Sequence, residues 1–123
     1  MKKNIVNIFT LFIAIEHFGF LILEMFLWVR PIGHRVFKMT PVFAEQTAVL
    51  AANQGLYNGF LAAGLIWALT QAEPFRRSLQ IFFFSCVAVA GLYGFYSISS
   101  TILYVQAIPA IVALGLILGL SDK

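Results

Sequence analysis

Four long apolar runs separated by three short polar breaks organise this sequence. They cover about Asn4–Trp28, Glu45–Thr70, Ser78–Ser97 and Ile102–Leu120. A helix needs roughly 20 mostly apolar residues to cross the hydrocarbon core of a bilayer, and each run is close to that length. In lipid no water is present to satisfy backbone groups, so an open segment must bond within itself, as a helix does. The pattern predicts an all-α protein, a four-helix transmembrane bundle forming a single integral membrane domain over residues 1–123.

The breaks differ in character. Between Val29 and Ala44 lie Arg30, Pro31, Gly33, His34, Arg35, Lys38 and Pro41, which together read as a polar loop. Gln71 to Arg77 is a short basic turn, and Ser97 to Thr101 a tight uncharged hairpin. No internal repeat or low-complexity segment is evident.

Composition strengthens the membrane reading. The chain is 61% hydrophobic and 11% charged, whereas soluble domains carry about 25% charged and about 45–50% apolar residues. A soluble chain this short could not bury so much apolar surface. A net charge of +3 would point to nucleic acid in a soluble protein. Here the cations fall almost entirely between the apolar runs, so they set topology. The expected surroundings are a lipid bilayer, with no nucleic-acid partner.

Lys and Arg concentrate on the cytoplasmic side of membrane proteins. Of the eight, Lys2, Lys3, Arg76, Arg77 and Lys123 share one side, and Arg30, Arg35 and Lys38 the other. Both termini are therefore expected in the cytoplasm. Trp28 and Trp67 lie near run ends, where indoles favour the headgroup level. The opening Lys2-Lys3 resembles a signal-peptide start. The run behind it is too long, contains Glu16 and His17, and lacks a small-x-small cleavage site before Trp28, so it reads as a retained helix. Cys86 stands alone, which excludes an intramolecular disulfide and any multi-cysteine metal site.

The candidate chemistry lies inside the runs. An ionisable side chain at membrane depth costs on the order of 3 kcal/mol on insertion scales and marks a functional site by default. Thr10, His17 and Glu24 recur every seven residues along one stripe of the first helix, with Glu16 about 100° from His17. On the second, Asn53, Gln54, Tyr57 and Asn58 occupy an arc of about 140°. Ala51, Gly55, Gly59 and Ala63 form an adjacent ridge of small residues that lets helices approach closely. Cys86, Ala90 and Gly94 make a second small stripe. On the fourth helix, Pro109 cannot donate to the Val105 carbonyl, leaving an acceptor free beside Gln106. The Gly-x-x-x-Gly spacings at Gly55/Gly59 and Gly115/Gly119 are packing chemistry rather than nucleotide chemistry. His34 and Arg35 in the first loop read as solvated charges.

Glu16, His17, Glu24, Asn53, Gln54, Tyr57, Asn58 and Gln106 outnumber the polar groups a small bundle needs as glue. They predict an outward-opening polar pocket. Structural use of the same residues, as interhelical hydrogen bonds in a subunit recognised by a partner, stays open beside it.

The runs Leu23-Glu24-Met25-Phe26-Leu27-Trp28 and Asn53-Gln54-Gly55-Leu56-Tyr57-Asn58-Gly59-Phe60 carry a resemblance, together with Glu16-His17 and Val105-Gln106-Ala107-Ile108-Pro109-Ala110. Over essentially its whole length the chain resembles a family of short bacterial membrane proteins known as a domain of unknown function, number 1304. The resemblance implies a four-helix protein of the bacterial cytoplasmic (inner) membrane and names no activity or cofactor.

Three functions are compatible with these residues. The leading one is binding or transport of a small polar or amphipathic ligand, in a bundle that homo-oligomerisation could complete. A second is an intramembrane enzyme using Glu16 or Glu24 with His17 in acid–base chemistry, with Tyr57 or Asn53 stabilising an oxyanion. A metal site is the weakest. His17 and Glu24 lack the His-Glu-x-x-His spacing and start about 10 Å apart along the axis, so no metal is expected.

Overall fold

The computed structural model describes residues 2–119. Among these every regular element is helical, with no strand. Helix α1 spans Lys2–Phe26, α2 Pro31–Val36, α3 Pro41–Thr70, α4 Phe75–Ser97, α5 Ser100–Ile102 and α6 Ile108–Leu118. A single π-helical turn, Leu103–Ala107, joins α5 to α6. Leu120 and Lys123, which entered the expected fourth helix and the charge balance, lie outside the described residues.

Three stretches are long and apolar enough to cross a membrane: Lys3–Phe26, Phe75–Ser97 and Ser100–Leu118. The second apolar run differs from expectation. Helix α3 is the longest, with 30 residues, but it falls short in apolarity because Asn53, Gln54, Tyr57 and Asn58 interrupt its middle.

The polar loop after Trp28 is more ordered than expected. Pro31 opens α2 at a position where its missing N–H costs nothing. The α2 turn sits so close to the end of α1 that a Cβ on Gly33 would collide with the Leu27 carbonyl oxygen. The chain leaves α2 through Lys38, whose φ of 51° is left-handed. Helix α3 then starts four residues before the apolar run, because Thr40 caps it. The Phe43 N–H donates to Thr40 Oγ1 at 3.2 Å, and Pro41 occupies the first helical position.

The described residues form two compact units, one of residues 2–14 with 63–119 and one of residues 15–62. In the first, Val6, Ile13, Leu65, Phe84, Val87, Ala107, Ala110, Ala113 and Ile117 are buried. Helix α4 packs against the π-helical turn at Gly91, where a Cβ would lie 2.7 Å from the Ala107 nitrogen and 2.8 Å from its Cα. Gly64 likewise faces the ring of Phe83. At the end of α6, Arg77 Nη2 donates to the Ile117 carbonyl at 3.2 Å, a cation placed at the negative end of a helix.

One polar cluster sits in that core. Gln80, 2% exposed, donates from Nε2 to Thr10 Oγ1 at 2.9 Å and to Asn7 Oδ1 at 3.0 Å. Thr10 Oγ1 in turn donates to the Val6 carbonyl at 2.8 Å. Gln80→Leu removes both amide bonds while leaving Thr10 bonded to its own helix. We expect a loss of about 1–2 kcal/mol, at roughly 1 kcal/mol per net hydrogen bond. The readout is the midpoint of unfolding by sodium dodecyl sulfate; an unmoved midpoint would show the cluster to be energetically idle.

Candidate functional site

Seven of the eight candidate residues fall in the unit formed by residues 15–62; Gln106 belongs to the other. Within the first of these, the C-terminal half of α1 and the middle of α3 approach closely because Gly55 and Gly59 carry no side chain. A Cβ on Gly55 would come within 2.8 Å of Met25 Cγ, 3.0 Å of Glu24 Cβ and 3.2 Å of the Leu21 carbonyl oxygen. On Gly59 it would press against Leu21 Cδ1. The expected small-residue ridge is thus seen in contact with α1 at these two positions.

This close approach brings Glu24 and Asn58 together. Asn58 Nδ2 donates to Glu24 Oε2 at 2.7 Å, at the short end of the range for an N–H···O bond. Asn58 is 7% exposed. His17 is fully buried, with its ring edge-to-face against Phe20 at 5.4 Å between centroids. Glu16, the preceding residue, is partly buried. Its Oε2 is closed off from solvent and has no hydrogen-bond partner.

The rest of the α3 arc is placed differently. Asn53, Gln54 and Tyr57 are exposed, Tyr57 to 57%. The physical reason is angular. An arc of about 140° is wider than the face α3 presents to α1, so only its Asn58 edge reaches the contact. The inward sector expected from sequence therefore holds Asn58 alone of the four.

Gln106 is half-buried within the π-helical turn. In that turn the Ile108 N–H bonds to the Leu103 carbonyl, five residues back. The missing Pro109 donor, expected to leave an acceptor free beside Gln106, is accompanied by a widened turn of the type that recurs at functional positions.

Sequence reading passed over Gln80, Asn7 and the Trp28 anchor. Trp28 Nε1 donates to Thr47 Oγ1 at 3.0 Å, and its ring packs on Phe37 at 4.6 Å. Thr47 is satisfied in turn by donating to the Phe43 carbonyl at 2.7 Å. Besides its position near a run end, Trp28 thus fastens α1 to α3 inside its unit. The signal for Gln80 was a lone amide near the start of an apolar run, with no periodicity to mark it. Among the described residues, no group of His, Cys, Asp and Glu gathers in a metal-holding arrangement.

A family model described as "Protein of unknown function (DUF1304)" matches residues 11–118. The chain belongs to this family. The matched stretch contains every candidate residue from Glu16 to Gln106. A relative within reach of direct comparison is "Uncharacterized protein YpaA" of Lactococcus lactis subsp. lactis (strain IL1403), 33% identical over 109 residues. The match covers 87% of this chain and 91% of that protein. No solved structure matches.

Proposed function

We propose that this protein of the DUF1304 family is an integral protein of a bacterial inner membrane that binds or carries a small polar or amphipathic molecule. In this reading α3 joins the three apolar helices as a fourth span, with both termini cytoplasmic. At 1.5 Å per residue, a helix of 30 residues is about 45 Å long, enough to cross the hydrocarbon core.

The observation carrying the proposal is the Oε2 of Glu16, shut away from solvent and lacking a donor. An unsatisfied buried acceptor costs about 1–3 kcal/mol, and more when charged. A ligand with an N–H, an O–H or a cationic centre would supply what Glu16 lacks. Glu24 differs, because Asn58 already donates to it. The two carboxylates therefore divide the work: Glu24 is held in place and Glu16 is free to engage.

Ethidium, a fluorescent amphipathic cation, serves as a probe in vesicles containing the purified protein. Wild-type vesicles should take up more ethidium than protein-free ones. Glu16→Gln should lower that excess about tenfold or more, since a hydrogen bond to a charged group contributes about 1.5–3 kcal/mol. Equal uptake by wild-type and Glu16→Gln vesicles would remove the carboxylate from any such role.

A further inference from the structure

We propose that the exposed polar face of α3, between Gln46 and Phe60, is where a second copy of this chain docks. The proposal rests on the reading above that α3 crosses the bilayer. Gln46, Leu50, Asn53, Gln54, Tyr57 and Phe60 are all exposed and share an arc of about 120° at 100° per residue. This arc lies away from Ala51, Gly55 and Asn58, the side that meets α1. Helix α3 thus has one face satisfied within the chain and another that is not.

The two mid-helix carboxamides of this arc, Asn53 and Gln54, are costly on a lipid-facing surface, because hydrocarbon offers them no hydrogen bonds. Asn and Gln each carry donors and acceptors in one group. A patch built from them is therefore complementary to itself. About a twofold axis, residue i meets residue j and j meets i, so Asn53 and Gln54 of one copy can satisfy those of the other. No Lys, Arg, Asp or Glu lies on the arc, so two identical faces meet without repulsion. Leu50, Tyr57 and Phe60 flank the amides with apolar surface that would close over them.

The test uses the full chain in phosphatidylcholine/phosphatidylglycerol vesicles, with Cys86→Ala so that each label has a single site. Two populations labelled with donor and acceptor dyes at an introduced cysteine in the first loop, Arg35→Cys, should show energy transfer that falls on dilution into excess lipid. Asn53→Leu with Gln54→Leu should weaken association at least about fivefold, the equivalent of one interhelical hydrogen bond, with helical circular dichroism retained. An oxidative cross-link should form between copies carrying Asn53→Cys and not between copies carrying Val89→Cys on α4. Absent energy transfer, or transfer unchanged in the double leucine variant, would overturn the proposal; the latter result would point to a different contact face. A membrane-impermeant maleimide separates the two readings. Protection of Asn53→Cys without energy transfer leaves α3 spanning and removes only the pairing. Free labelling without transfer removes both.

Discussion

Gly91→Ala is expected to lower the stability of the detergent-solubilised protein by about 1–3 kcal/mol, the usual cost of overpacking. The added methyl would lie 2.7 Å from the Ala107 nitrogen and 2.8 Å from its Cα. Both are backbone atoms, which cannot swing aside as a side-chain tip can. Relief requires α4 and the π-helical turn to separate, and separation forfeits the close contact that holds apolar helices together in lipid. A larger Gly91→Leu change should leave little folded protein. Gly115→Ala supplies the control, since a Cβ there meets nothing within 4 Å. In that exposed position the higher helix propensity of alanine should make the change neutral or stabilising by up to about 1 kcal/mol. Unfolding midpoints in sodium dodecyl sulfate measure both. Equal midpoints for the two alanine variants would show that the Gly91 contact does not govern stability.

The contrast between these glycines shows how far a sequence can be read. Run length and charge placement made the helical, membrane-suited character of α1, α4 and the Ser100–Leu118 segment legible, because those properties depend on composition alone. Which small residues make contact was only partly legible. Spacing by four selected Gly55 and Gly59 on α3, and both lie against α1. The same rule selected Gly115 on α6, which meets nothing, and Ala90 on α4, which is exposed. The buried stripe of α4 runs through Phe84, Val87, Ala88, Gly91 and Gly94, and shares only Gly94 with the expected small-residue stripe. When nearly every position is apolar, periodicity cannot tell lipid from protein, and a four-residue repeat of small side chains occurs on more than one face. The pairing of Glu24 with Asn58 was not legible either, because residue counts put Glu24 near the end of its run and Asn58 near the middle of its own. That Asn58 turns toward α1 while Asn53 and Gln54 turn away depended on the rotation of α3, which the Gly55 and Gly59 contacts fix. Helix starts are harder to place than helix bodies: Thr40 and Pro41 fall in a polar break, yet a capping hydroxyl followed by proline begins α3 there.

Asn58→Leu should be among the most damaging changes in the unit formed by residues 15–62. Asn58 supplies the Glu24 carboxylate with a donor at 2.7 Å, and leucine keeps the branched shape while removing the donor. The carboxylate is then left partly buried with one fewer bond. Losing a hydrogen bond to a charged group costs about 1.5–3 kcal/mol. Glu24→Gln should cost less than about 1 kcal/mol, because a carboxamide oxygen still accepts from Asn58 at the strength of a neutral pair. The double change, Glu24→Leu with Asn58→Leu, separates the bond from its parts. Replacing both partners by apolar groups leaves neither one unsatisfied, so the loss should be smaller than the two single losses together by about 1–2 kcal/mol, within the range for residues in contact. If the single losses simply add, the two groups do not support each other, and Glu24 must draw its stability from elsewhere. A positive coupling would also sharpen the functional division between the carboxylates. Ethidium uptake that survives Asn58→Leu but not Glu16→Gln would assign ligand engagement to Glu16 and anchoring of the α1–α3 contact to Glu24.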